Sequence, residues 1–337
     1  MSTSFAQLAA APGTASPDPF KRVNYTLGML LGVDDFNQEF AYLSGRDHWL
    51  ARDAIGYGTM SGLRVSLDQT NNGPRVNVAA GTGLTPHGRI VYVNPAQCAV
   101  LNGWLSANQS LIQPVLSSPL SSSIVLYLVL SYRACPTDPV PIAGEPCRSA
   151  DDLMAPSRLV DDFHLDFWLT PPAQQEEDAV RDFVAWMNQI VISDTGPFTS
   201  LADFVSDLRA AVSSSMASPP DPGTYFRFGS PLAGVRISSA DLPAFMDAAY
   251  RIWVTEIRPL FHIAPPSAGC SCDGSSSPMQ DTQDALLLAE VYVPLVMVGQ
   301  NWQVDDTQPV NIDETRRPIL VHMRMMQEWL LAGPQTK

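Results

Sequence analysis

The chain has 337 residues, room at roughly 150 residues per domain for about two units that each bury a core, so a disulfide-stapled miniprotein is excluded. Apolar residues make up 45% and charged ones 16%, against about 25% charged in an ordinary globular chain, which argues against global disorder and extended coiled coil. With 34 acidic and 20 basic side chains the formal charge is −14, which repels phosphate backbones and anionic lipid, so no nucleic-acid partner is expected.

Met1 to Phe20 mixes Ser, Ala, Thr and Pro, with no positive n-region and no hydrophobic run. No secretory signal is read there, residues 1–22 are expected to form a flexible arm, and assembly in the cytoplasm is the expected setting. Asp34 or Asp35 can cap a helix running to about Ile55, with Phe36, Phe40, Leu43, Leu50 and Ala54 near one face; Gly45 weakens it by about 1 kcal/mol relative to Ala. Leu63 to Leu67, Arg75 to Ala79 and Arg89 to Val93 are short segments rich in Val and Ile. Asn71-Asn72-Gly73-Pro74 and Pro86-His87-Gly88 are turn sequences between them, and together they predict a small antiparallel meander.

Ile124 to Tyr132 reads as a strand buried on both faces, and Phe163 to Leu169 as a half-buried one. Proline clusters from Cys135 to Pro146 and from Ser218 to Gly223 predict long rigid loops. The period then changes to three and four: Val180, Phe183, Val184, Met187 and Val191; Leu201, Phe204, Val205, Leu208 and Val212; Leu242, Phe245, Met246 and Ala249. These predict three amphipathic helices, with Thr199 or Ser200 and Ser238 or Ser239 as N-caps and Pro259 closing the last. A Ser, Gly and Pro linker runs from Ala264 to Pro278, β-character returns from Leu286 to Val298, and Ile319, Met323, Met326 and Leu330 share a face of a terminal helix stopped by Gly333-Pro334.

The predicted fold class is α+β: a small antiparallel β-unit preceded by an N-terminal helix, with an inserted three-helix block and a C-terminal helix. The expected divisions are the arm at 1–22, the helix with its β-unit at 23–172, the helical insertion at 173–263, the linker at 264–280, and returning strands with the C-terminal helix at 281–337. The longest apolar runs are Ile124 to Leu130 and Ala285 to Val298, the second broken by Glu290 and Pro294, so no membrane span is predicted.

Catalytic motifs find little purchase. Gly56-x-Gly58 continues to Gly62 with one residue too many for a dinucleotide fingerprint and leads into β-pattern where that motif needs a helix. His48, between Asp47 and Asp53, is the one acid–base candidate, and a satisfied histidine is the plainer reading. Trp104, Trp168 and Trp302 could stack on sugar rings or sit in the core. Cys135 and Cys147 bracket a proline-rich loop and Cys270-Ser271-Cys272 lies in the linker, so four of the five cysteines could hold a structural zinc ion. A Cys135–Cys147 disulfide and unligated thiols are the other readings.

Several stretches carry a family resemblance. Leu27-Gly28-Met29-Leu30-Leu31-Gly32-Val33-Asp34-Asp35-Phe36-Asn37-Gln38-Glu39 is followed by Tyr42, Arg46, Arg52, Gly56-Tyr57-Gly58 and Gly62-Leu63-Arg64-Val65. Then come Val78-Ala79-Ala80-Gly81-Thr82-Gly83-Leu84, His87-Gly88-Arg89-Ile90, Tyr132-Arg133, the loop Pro136 to Arg148, Ala155-Pro156-Ser157-Arg158-Leu159, Asp284 to Ala289, and Arg317-Pro318-Ile319-Leu320 with Gln327. This set resembles proteins encoded beside contractile injection systems and phage-tail-like particles, over about residues 23–172 and 270–332. Ile55 and Ala51 stand where relatives often carry His and Asn.

The resemblance implies a non-enzymatic structural subunit of the baseplate or spike region, with no catalytic residue to carry over. Its implied partners are baseplate, sheath and spike subunits, in multiple copies within a symmetric assembly. The alternatives are a surface module for glycan or receptor and, third, a hydrolase using His48 or a cysteine-bound metal.

Overall fold

Residues 58–100 form six short strands, with Gly62, Gly73 and Gly88 at positive φ at three of the five breaks, and the computed structural model shows how these stack. The structure describes residues 17–116, 123–141, 154–217, 227–228, 234–261, 284–299 and 301–332. In chain order the first elements are α1 (Val33–Leu50), which runs into a π turn at Ala51–Ile55, then β1 (Gly58–Gly62), β2 (Val65–Thr70), β3 (Gly73–Val78), β4 (Gly81–Leu84), β5 (Ile90–Val93) and β6 (Gln97–Val100). There follow α2 (Leu101–Ala107), α3 (Gln109–Ile112), β7 (Ser123–Pro141), β8 (Met154–Trp168), α4 (Gln175–Met187), β9 (Val191–Ile192), α5 (Leu201–Ala217), β10 (Arg236–Ile237) and α6 (Leu242–Ile252). A second π turn at Trp253–Ile257 leads to α7 (Arg258–Phe261), and the chain ends in β11 (Ala285–Val298), β12 (Asn301–Val304), β13 (Asn311–Asp313) and α8 (Met323–Ala332).

The fold is α+β with antiparallel sheets, as expected. The single meander is replaced by two three-stranded sheets, β1–β4–β5 and β2–β3–β6, because one ribbon bends at glycines. Gly62 (φ +64°) pairs with Gly81 at the corner, and a Cβ on Gly62 would run into the Ala80 carbonyl oxygen. Only a residue without a side chain lets the two strands cross there. Beyond the corner Val65 pairs with Val78 and the ribbon continues as β2–β3.

The largest sheet has the order β12–β11–β7–β8, with β13 also on β11. Its centre is β11, where Ala285 to Ala289 are fully buried. Leu126 and Leu130 of β7, Leu286 and Leu288 of β11, Leu63, Val93 and the α2 residues Leu101 and Leu105 make one apolar core. A second core belongs to the helical block, where Phe204, Leu208, Phe245, Ala249 and Ile257 meet and the rings of Phe204 and Phe245 lie 5.1 Å apart. The parallel pair β9–β10 closes this block.

Several boundaries differ from expectation: Val191, expected on the first inserted helix, lies in β9, and Ile319, expected on the C-terminal helix, bridges Thr59 before α8 begins. The proline-rich segment after Cys135 is strand as far as Pro141, because its partner β8 supplies cross-strand ion pairs, Arg133–Asp162 at 2.6 Å and Arg158–Asp138 at 3.3 Å. The helix is not closed by Pro259. A π turn precedes the proline, so the hydrogen-bond ladder is already irregular where the missing N–H falls, and the chain stays helical to Phe261. Ser200 does cap α5, accepting from the Asp203 N–H at 3.1 Å. The linker at 264–280 lies outside the described residues.

Leu286→Ala removes a fully buried side chain from the central strand and should cost about 2–5 kcal/mol, read as a fall in the urea midpoint with unchanged slope.

Candidate interaction surfaces and the junctions that hold them

Some of the stretches quoted for the resemblance meet in space at two junctions, Gly56–Gly58 with Arg317–Leu320 and His87–Arg89 with Tyr132 and Asp284. At the first, Gly58 lies so close to residue 318 that a Cβ would sit 2.9 Å from the Pro318 carbonyl. That approach allows the Thr59 N–H to donate to the Pro318 carbonyl and the Leu320 N–H to donate to the Thr59 carbonyl, both at 2.9 Å. Buried Arg317 donates to Thr59 Oγ1 at 2.8 Å and pairs with Glu314. The helical block is fastened to the same segment: Arg181 of α4 donates to the carbonyls of Thr315 (2.7 Å) and Arg317 (2.9 Å), and Arg316 pairs with buried Asp178. Arg258 of α7 joins Glu176 at 2.8 Å and the Asp53 carbonyl at 3.1 Å, and the Glu177 N–H donates to the Tyr57 hydroxyl at 3.3 Å. Burial, with Glu177 next to it, holds the Tyr57 phenol protonated well above its usual range.

At the second junction the His87 N–H donates to Asp284 Oδ1 at 2.9 Å, and Arg89 Nη1 stands 3.6 Å from the other carboxylate oxygen. The Arg89 guanidinium lies 4.8 Å from the centre of the Tyr132 ring, and Tyr132 donates to Asp161 at 2.6 Å. Gly88 (φ +81°) packs under the His48 carbonyl of α1, where a Cβ would collide. His48 is therefore a docking position. Burial and the neighbouring Arg89 lower its pKa, against the opposing pull of Asp284, Asp47 and Asp161. Asp53 is engaged by Arg52 at 2.9 Å.

What these junctions hold out is apolar. The helix α1 has no buried residue. Its partly buried residues are Asp35, Gln38, Glu39, Ala41, Tyr42, Ser44, Gly45 and His48, mostly small or polar, whereas Val33, Phe36, Phe40, Leu43 and Leu50 are 75%, 61%, 73%, 54% and 68% exposed. The face expected to seek a core is thus turned to solvent. Pro19 and Phe20 lie along another side of the helix, against Gly45 and Trp49. In α8, Met323, Met326 and Leu330 share one face and are exposed, as are Trp329 and Leu331. The β7–β8 ribbon loses its neighbour β11 after Ser131, so Tyr132–Pro141 and its partner strand extend as a two-stranded arm about 30 Å long at about 3.3 Å per residue. Leu159, Val160 and Val140 are exposed along it, and Pro136, Pro139, Pro141 and Pro156 interrupt its edges.

Of the two readings of the three tryptophans, sugar platform or core, the contacts seen are those of packing residues. Trp302 is buried in the first core, Trp104 meets Phe167 edge-on at 5.7 Å, and Trp168 packs on Val129, Ala285 and Leu287. Cys135 stands on the arm with its Sγ donating to Asp162 at 3.4 Å. Cys147, Cys270 and Cys272 lie outside the described residues, and among the described residues no group of three or more His, Cys, Asp or Glu is placed to hold a metal ion. Among the described residues no helix is long and apolar enough to cross a membrane.

No family model matches the chain, and no curated protein does. Among solved structures it is similar to a TssK crystal structure at 14% identity and a TM-score of 0.24, over 72% of this chain and 57% of that one. It is also similar to a chain of the type VI secretion TssK-TssF-TssG baseplate subcomplex (11% identity, TM-score 0.25, 71% of this chain and 80% of that). A third match is to a chain of the type VI secretion baseplate complex (10%, TM-score 0.23, 72% and 75%). The aligned part spans little more than half of the first TssK chain, and overlaps of this quality carry no functional argument.

Asp178→Ala should cost about 3–5 kcal/mol and separate the unfolding of the helical block from that of the sheets, seen as non-coincident urea transitions by tryptophan fluorescence and far-UV circular dichroism. His48 has a folded pKa below its unfolded value of 6.5, so the unfolded chain takes up the extra proton as pH falls; the stability it lends is full above that value and lost below it. Between about pH 7.5 and 5.5 the wild-type urea midpoint should fall more than that of His48→Gln.

Proposed function

We propose that this chain is a non-enzymatic structural subunit of the baseplate or spike region of a contractile injection system or phage-tail-like particle. The observation that supports this best is the inverted helix α1, which rests on the body where its His48 carbonyl meets Gly88 while its Phe36, Phe40, Leu43 and Leu50 side faces outward. Water-exposed apolar area of this size is stabilised only when another surface covers it, and each large side chain gains about 1.5–3 kcal/mol on full burial. The arm and α8 add two further surfaces of the same character. The sequence resemblance supplies the kind of assembly in which these surfaces find neighbours.

Particles purified from cells that make this chain should contain it, and a Phe40→Asp, Leu43→Asp double variant should fold as the wild type does yet be absent from the particles. Particles that form fully without the chain, with the wild-type protein only free in solution, overturn the reading.

A further inference from the structure

We infer that α1 pairs with α1 of a second copy of this chain, antiparallel, about a two-fold axis near residues 41 and 42. The inference deepens the structural-subunit reading, on which it rests, by naming one neighbour.

The exposed positions Val33, Phe36, Phe40, Leu43, Asp47 and Leu50 alternate in steps of three and four, which is a two-helix seam and not the broader stripe of a core helix. In an antiparallel pair Val33 meets Leu50 of the second copy, Phe40 meets its Leu43, and Phe36 meets its Asp47. A parallel pair would instead stack Asp47 on Asp47 within the seam, two like charges leaving water together. Glu39 and Arg46 flank the seam on the same side, seven residues apart. A two-fold axis brings each Glu39 beside the other copy's Arg46, whereas a parallel arrangement sets neither opposite a charge. The helix dipoles also oppose each other favourably.

The seam side chains Val33, Phe36, Phe40, Leu43 and Leu50 are all more than half exposed, and Leu27 and Leu30 before them almost fully so, leaving an apolar strip for the second copy to cover. Ile55, after α1, is exposed as well.

The test is sedimentation velocity of the full chain over about 1–100 µM. The expected result is a dimer, weakened at least tenfold by Phe40→Asp and, as a second variant, by Leu43→Asp; both side chains are exposed, so the monomer keeps its circular dichroism and urea midpoint. Glu39→Arg and Arg46→Glu should each weaken the dimer, and the double variant should restore it. A wild-type monomer throughout, a trimer, or failure of the double variant to recover overturns the antiparallel pairing. A monomer that still enters particles leaves the structural-subunit reading standing with a different subunit on α1, and a dimer excluded from particles leaves the pairing standing without it.

Discussion

The segment from Glu314 to Leu320 is the constraint on which the rest of the molecule depends. It threads between β1 and α4, gives its Pro318 carbonyl to Thr59, and receives Arg181 on the carbonyls of Thr315 and Arg317. Through it the sheet core and the helical core, each closed in itself, become one body. The contacts are mainly guanidinium to carbonyl and guanidinium to carboxylate, which are directional and need their partners in place. Burying such groups yields little net stability against an apolar alternative, so their weight lies in fixing a geometry. The geometry fixed is that of α1, whose π turn ends beside Leu320, and of α8, which starts a few residues further on.

A helix held by its polar side runs against the usual economy of folding. Short isolated helices are marginal in water and gain most of their stability from tertiary packing of the apolar face. Here α1 keeps its place through a carbonyl resting on Gly88, the side chain of Asp35 accepting from the Gly32 N–H at 2.8 Å, and the Pro19–Phe20 segment laid along Gly45 and Trp49. Those contacts set the helix direction without consuming its apolar side. In the arm, too, cross-strand ion pairs hold the ribbon while Leu159, Val160 and Val140 stay exposed.

Much of this architecture was legible in the residues. The three helices of the inserted block followed from spacings of three and four, and the central strands from short Val, Ile and Leu runs, because in both cases the pattern is set by a core within the chain. Strands β1 and β4 were not legible, being mostly Gly, Thr and Ser, residues that reveal the strand only through the close approach at Gly58 and the corner at Gly62. The arm was hidden by its prolines, which a two-stranded ribbon tolerates at its edges. The α1 helix was predicted, with its end drawn into the π turn, but periodicity alone does not say whether an apolar face meets its own chain or another. Trp104, Trp168 and Trp302 were ambiguous for the same reason.

The two junctions also explain why the resemblance is spread over so many separated stretches. Gly56-Tyr57-Gly58 and Arg317-Pro318-Ile319-Leu320 are some 260 residues apart in the chain and form one junction. His87-Gly88-Arg89, Tyr132 and Asp284 form the other. The Arg317 guanidinium is engaged by Thr59 and Glu314, the Arg181 fork by two carbonyls and Glu177, and Asp284 by His87 and Arg89. Residues bound in this way act as fasteners. The surfaces they orient are apolar and face outward.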